Sequence, residues 1–276
     1  MRKLRHQTGG WDGLIGLAIG AVLLAVAVLA PLLAPHDPNA IDSQRVIAAP
    51  TLEYPFGSDA LGRDVLSRVV YALRVSLAVA VASVLISLAV GVPLGLVAGY
   101  FGGWVDTLLM RPIDVLLAFP ALLLAIAIIA IVGPGSVVAL MAIAVIYLPI
   151  LSRVVRGSVL ITREQGYVAG ARARGASPVS IMLGHVLPNS LGPVLAQASV
   201  LTAFAIQIQA ALSFLGLGAQ PPTPELGLML YEGRDVLTQA PWVEIFPGVA
   251  LALATLAFTL FGNGLSTRLA VRKRYT

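Results

Sequence analysis

Six long apolar runs constrain this chain more than any other feature. They cover roughly Leu14–Leu33, Val75–Val97, Val115–Val132, Val137–Leu151, Leu191–Leu212 and Phe246–Phe261. A helix needs about 20 apolar residues to cross a hydrocarbon layer about 30 Å thick, where only internal hydrogen bonds satisfy the backbone. The first, second and fifth runs reach that length. The third, fourth and sixth need flanking residues. Between the third and fourth, Gly133-Pro134-Gly135 favours a tight reversal, so two spans are read there. Composition agrees: 11% of the residues are charged, against about 25% in a soluble domain. The expectation is an all-α integral membrane protein with six transmembrane helices.

Charge placement then orients the chain. With the N-terminus in the cytoplasm, only Arg45, Arg63, Arg68, Arg74 and Arg234 of the 18 basic residues lie outside. Basic residues favour the cytoplasmic side, so this orientation is preferred and both termini are expected inside. The net charge of +5 is thereby explained by topology, without nucleic acid. The first apolar run is about twice the length of a signal-peptide core, and Pro31 and Pro35 stand where small cleavage-site residues belong. It reads as a retained anchor helix. The expected division is a tail over 1–12, a first span over 13–34 and an outer segment over 35–74. A five-span core follows over 75–268, with a cytoplasmic loop over 153–189, then a tail over 269–276. In the outer segment, Ser58 or Asp59 is a candidate helix cap. Leu61, Val65, Val69 and Leu73 recur every four residues, predicting an interfacial amphipathic helix ahead of the second span.

Several chemistries are excluded. The only lysines are Lys3 and Lys273, so no Gly-rich phosphate loop ending in Lys exists to bind ATP. There is no cysteine and hence no thiolate ligand or nucleophile. His6, His36 and His185 are scattered, with no metal-site spacing. No carboxylate set in the spans suggests a proton relay. Asp114, close to Arg111 at the cytoplasmic start of the third span, is expected to be a structural salt bridge or an interface group and not a relay. Gln197, Gln207 and Gln209 on the fifth span are candidates for lining a polar passage or for bonding between helices.

The polar interruption from Arg153 to Asn189 carries the most information about function. Glu164–Ala173 reads as a helix in which Ala169, Gly170, Ala171 and Ala173 leave a smooth surface, flanked by Tyr167, Arg172 and Arg174. Gly175 suits a left-handed C-cap. Ser177 caps a second helix with Pro178 at its first position. Ile181, Met182, His185 and Val186 continue that helix to Pro188. An ordinary amphipathic surface loop would meet the same description.

The stretch Tyr167–Asn189 resembles the EAA loop of ABC-importer permeases. Ala169-Gly170-Ala171 occupies the family's Glu-Ala-Ala triplet and Gly175 its glycine, within a Gly175-Ala176-Ser177 turn. Leu187-Pro188 closes the motif. Ala169 stands in place of the family Glu, and His185 in place of its Ile. Phe56–Arg68 and Ser213–Leu230 are similar to signatures of the dipeptide/oligopeptide/nickel branch. The tail departs from that branch at Asn263-Gly264-Leu265-Ser266.

The resemblance implies a type I importer permease fold in a cell inner membrane. It implies a pore shared with a second homologous permease and a coupling helix docked on two ABC ATPase subunits that bind ATP and Mg. It further implies an extracytoplasmic substrate-binding protein, no cofactor in this chain and no enzymatic activity of its own. Di- or oligopeptides are the expected cargo, with nickel or another small solute as the alternative. A stand-alone carrier or channel is the competing class. Such carriers often show internal inverted repeats, and none is visible here.

Overall fold

A computed structural model of the chain describes residues 2–272. Among them the architecture is helical, with no strand beyond one isolated bridge between Ser58 and Asp64. The elements are α1 (Arg2–Val28), α2 (Ala30–Leu33), α3 (Val65–Phe101), α4 (Gly103–Leu117), α5 (Ala121–Val132), α6 (Ser136–Thr162), α7 (Gly166–Ala173), α8 (Pro178–Ile181), α9 (Leu187–Phe214), α10 (Leu226–Gly233) and α11 (Trp242–Arg272). Among the described residues five stretches are long and apolar enough to cross a membrane. A sixth span requires α4 and α5 together.

That sixth case corrects the expected third span. Val115–Val132 is broken at Ala118-Phe119-Pro120, and α4 and α5 meet at 90°. Pro120 disfavours the helical conformation of Phe119, which ends α4. At 12 residues, α5 is only about 18 Å long, short of the hydrocarbon thickness.

The second span differs in the other direction. Helix α3 has 37 residues, a length of about 55 Å. Its cap is Asp64, whose carboxylate accepts from the Ser67 amide at 2.9 Å, and not Ser58 or Asp59. The predicted interfacial helix is therefore the start of α3 itself. Val65, Val69 and Leu73 face the protein core, so their four-residue spacing marked a helix–helix contact. Helix α6 likewise runs on to Thr162, which places Arg153 and Arg156 on a helix rather than in a loop. The boundaries at 12/13 and 268/269 fall inside α1 and α11. Lys273 and Arg274 lie outside the described residues.

Helix α3 packs most extensively on α6. The cause is a glycine ladder at Gly91, Gly95 and Gly99, four residues apart and so on one face. A Cβ on Gly95 would lie 2.5 Å from the Ser152 carbonyl oxygen. Without side chains there, the two backbones close together, the small-residue mode by which membrane helices associate. Deeper in the same contact, the Ser87 hydroxyl donates to the Ala144 carbonyl at 2.7 Å. The core formed by α1, α3, α6, α9 and α11 is dominated by Ala, Val, Leu and Ile.

Candidate functional site

Helices α7 and α8 form a bracket at one end of the bundle, beyond the end of α6. Arg163 fixes its start: one guanidinium nitrogen donates to the Gly99 and Tyr100 carbonyls at 2.8 and 3.1 Å. Those carbonyls are left open at the end of α3, where positive charge is favoured. Helix α7 begins at Gly166, two residues after the expected Glu164. Its end is a Schellman motif. The Ala176 amide bonds to the Ala171 carbonyl at 3.2 Å and the Gly175 amide to the Arg172 carbonyl at 3.0 Å. Gly175 takes the left-handed position with φ +80°. Ser177 Oγ then accepts from the Ser180 amide at 3.3 Å, and Pro178 opens α8, as the sequence predicts.

The bracket has two faces. Val168, Ala171, Ile181, Met182 and Val186 are buried against Leu96, Val155, Val159 and Val194 of α3, α6 and α9. Tyr167, Ala169, Arg172, Gly175, Ser177 and Pro188 are exposed, as are Arg174, Val179 and Leu183. Gly170, Ala176 and His185 are half-buried. This corrects the expected smooth surface at Ala171, which, with Ile181 of the expected coupling loop, anchors the bracket to its own bundle and does not reach outward. His185 also faces partly inward, its Nδ1 buried without a hydrogen-bond partner.

The predicted stop at Pro188 is absent, because Pro178–Phe214 forms one helical path. A single π-turn, Met182–Val186, joins α8 to α9. Pro188 has no amide hydrogen and its ring would crowd the Gly184 carbonyl in a regular helix. The wider turn accommodates it.

The three glutamines do not share a face. Gln209 is buried, Gln197 half-buried and Gln207 exposed. Gln207 alone borders a groove of about 380 Å³, lined otherwise by Ala210, Ala211, Phe214, Leu215, Leu230 and Leu251.

At the opposite end, the loop 36–64 is clamped onto α10. Arg63 bonds Asp59 at 2.6 Å and Glu232 at 2.7 Å, and Arg68 reaches Glu232 at 3.1 Å. Trp242 Nε1 donates to the Ser58 carbonyl at 3.1 Å, and the Phe56 and Phe246 rings stack at 3.8 Å. Sequence reasoning singled out Phe56–Arg68 but missed Glu232, because the partners are 164 and 169 residues apart. Nearby, Glu225 is fully buried where α3, α9 and α10 meet. Burial pushes its carboxyl above the usual carboxylate range, partly offset by the Ser76 hydroxyl and the Gly227 amide, which donate to its Oε1 at 3.3 and 3.2 Å. Asp114 pairs with Arg153 at 2.6 Å, and not with Arg111. Among the described residues no cluster of potential metal ligands occurs.

Known proteins match this arrangement over nearly its whole length. Residues 91–275 match the family described as binding-protein-dependent transport system inner membrane component. Residues 2–50 match the N-terminal TM domain of oligopeptide transport permease C. The chain is 43% identical to the dipeptide transport system permease protein DppC of Alkalihalophilus pseudofirmus, covering 91% of this chain and 83% of that one. It is also 43% identical to the glutathione transport system permease protein GsiD of Pectobacterium atrosepticum, covering 96% and 87%. A solved structure of the MetNI methionine ABC transporter in an inward-facing conformation has a chain of similar fold. The TM-score is 0.59 at 19% identity, covering 75% of this chain and 95% of that one.

Proposed function

The chain belongs to the family of binding-protein-dependent transport system inner membrane components, and from that premise we propose that it is the pore subunit of an ATP-driven importer of small peptides. The observation that carries the reading is the two-faced bracket. One face is locked into the bundle by apolar packing and the other presents Tyr167, Arg172, Arg174 and Val179 to a partner. A chain without a phosphate loop receives the energy of ATP through a contact of this kind. The partners are two ABC ATPase subunits, which bind ATP and Mg. Rigid-body motion of the bracket carries their closure into α3, α6 and α9.

A second homologous permease completes the pore, and an extracytoplasmic binding protein delivers cargo to the end clamped by Arg63, Arg68 and Glu232. The bracket and both termini face the cytoplasm, in keeping with the placement of the basic residues. Peptide cargo follows from the relatives, whose names specify a dipeptide and glutathione. Co-purification tests the reading. The chain, expressed with its neighbouring transport components, should bring down two ATPases with nucleotide hydrolysis and take up labelled dipeptide. A chain that purifies alone and transports without ATP would instead be a carrier or channel.

A further inference from the structure

Helix α4 is held by two ion pairs and a narrow strip of apolar packing. Only Met110 and Ile113 along its length are buried, while Trp104, Leu108 and Val115 are exposed. Both of its ends are articulated. Gly102, its N-cap, and Gly103, its first residue, have φ +66° and +54°, and the 90° break to α5 follows it. What orients α4 is a pair of arginines on the last turns of α6. Arg156 grips Asp106 with two prongs, both at 2.5 Å. Arg153 holds Asp114 at 2.6 and 3.1 Å. A two-pronged arginine–carboxylate pair fixes direction as well as distance. The Asp106 pair is the more sheltered, with side chains 35% and 19% exposed against 53% and 47% for the other. It is therefore less weakened by solvent.

These arginines also stand beside the bracket. Arg163, seven residues beyond Arg156, ties the start of the bracket to the Gly99 and Tyr100 carbonyls, immediately before the Gly102-Gly103 elbow. A displacement of α7 acts on the end of α6 and on this elbow together. Helix α4 follows through the ion pairs and through one small apolar contact, Met110 and Ile113 against Ala98 of α3 and Leu148 of α6.

We propose that Arg156, with Arg153 in a lesser role, is a positioning residue of the transport cycle: its pair with Asp106 makes α4 move as one body with α6 and the bracket. The α4–α5 elbow is then the moving part of the wall on the bracket side of the membrane. This inference rests on the reading of the chain as an ATP-coupled permease.

The absence of native cysteine makes a direct test available. Spin labels at Thr107→Cys on α4 and Gly157→Cys on α6 report the distance between the two helices. Thr107 is exposed, and nothing lies within 4 Å of a Cβ on Gly157. In the full complex with its ATPases, the parent should show one narrow distance that ATP leaves unchanged. Arg156→Gln and Asp106→Asn should each broaden it and make it respond to ATP. They should also lower the dialanine moved per ATP hydrolysed by about tenfold, within the usual range of coupling between sites. The charge swap, Asp106→Arg with Arg156→Asp, should narrow the distance again. A narrow, ATP-insensitive distance in both single variants would overturn the inference, whether or not dialanine is the cargo. Failure of the parent chain to retain ATPases would count against the ATP-coupled reading instead, and the distance in the isolated chain would still decide whether Arg156 holds α4.

Discussion

Replacing Gly175 isolates the geometry of the bracket from its packing. A Cβ at this position would meet nothing within 4 Å, so a substitution there introduces no collision. What remains is the backbone, at φ +80°. An L-residue in the left-handed region costs roughly 1–2 kcal/mol, and a β-branched side chain more. Asn is tolerated best after Gly. The expected order of local destabilisation is therefore Gly175→Asn, then Gly175→Ala, then Gly175→Val. A cost of about 1.4 kcal/mol raises the population of opened bracket about tenfold. Amide hydrogen exchange over 166–181 reads that population directly, in the membrane-inserted complex. Gly175→Ala should speed exchange there by about tenfold, with α9 unaffected beyond its first turns. Gly175→Val should exchange faster still, and uptake should be lost although insertion is normal. Equal exchange in the Asn, Ala and Val variants would refute the argument from φ. Normal uptake by Gly175→Val at normal expression would separate this turn from coupling altogether.

Other perturbations read different parts of the structure. Ala171→Asp puts a charge into the apolar contact with Leu96, Val155 and Val159, and should release α7 from the bundle at a cost of several kcal/mol, about 3 or more, seen as protease cleavage near Arg163. Glu232→Ala leaves Arg63 and Arg68 buried with Asp59 as their remaining acid; the cost is about 3–5 kcal/mol, visible as a lower unfolding temperature and a freed 36–64 loop. Glu225 tests pH. Its folded-state affinity for a proton is raised above the ordinary carboxyl value of 4.5 by burial, so its contribution to stability is present below that value and is lost as pH rises through the folded-state value. Thermal stability should fall as the pH is raised above the ordinary carboxyl value of 4.5 in the parent and change less in Glu225→Gln.

The legible parts of this fold were those carried by local pattern. The apolar runs mark every span but the third, and Gly175, Ser177 and Pro178 mark the turn between α7 and α8, because each acts on its own backbone. The parts that escaped depend on partners distant in sequence. Nothing local to Ala171 or Ile181 says that they face inward against Val155 and Val159. Nothing local to Asp114 prefers Arg153 over the closer Arg111. The four-residue spacing of Val65, Val69 and Leu73 suits an interfacial amphipathic face, yet helix–helix contact has the same period. Pro120 was visible, but an apolar run continuing on both sides of it concealed a 90° bend. Pro188 misled in the opposite sense, since the π-turn at Met182–Val186 lets the helix pass through it.

The most direct test of the account is a cross-link from the exposed face of the bracket. A single Val179→Cys in this cysteine-free chain, carried in the assembled complex, should capture an ATPase subunit, with a yield that changes when ATP is bound. Pro221→Cys, at the opposite end, should capture none. An ATPase adduct at Pro221, or none at Val179 in a complex that hydrolyses ATP, would contradict the claim that this bracket receives the energy of ATP.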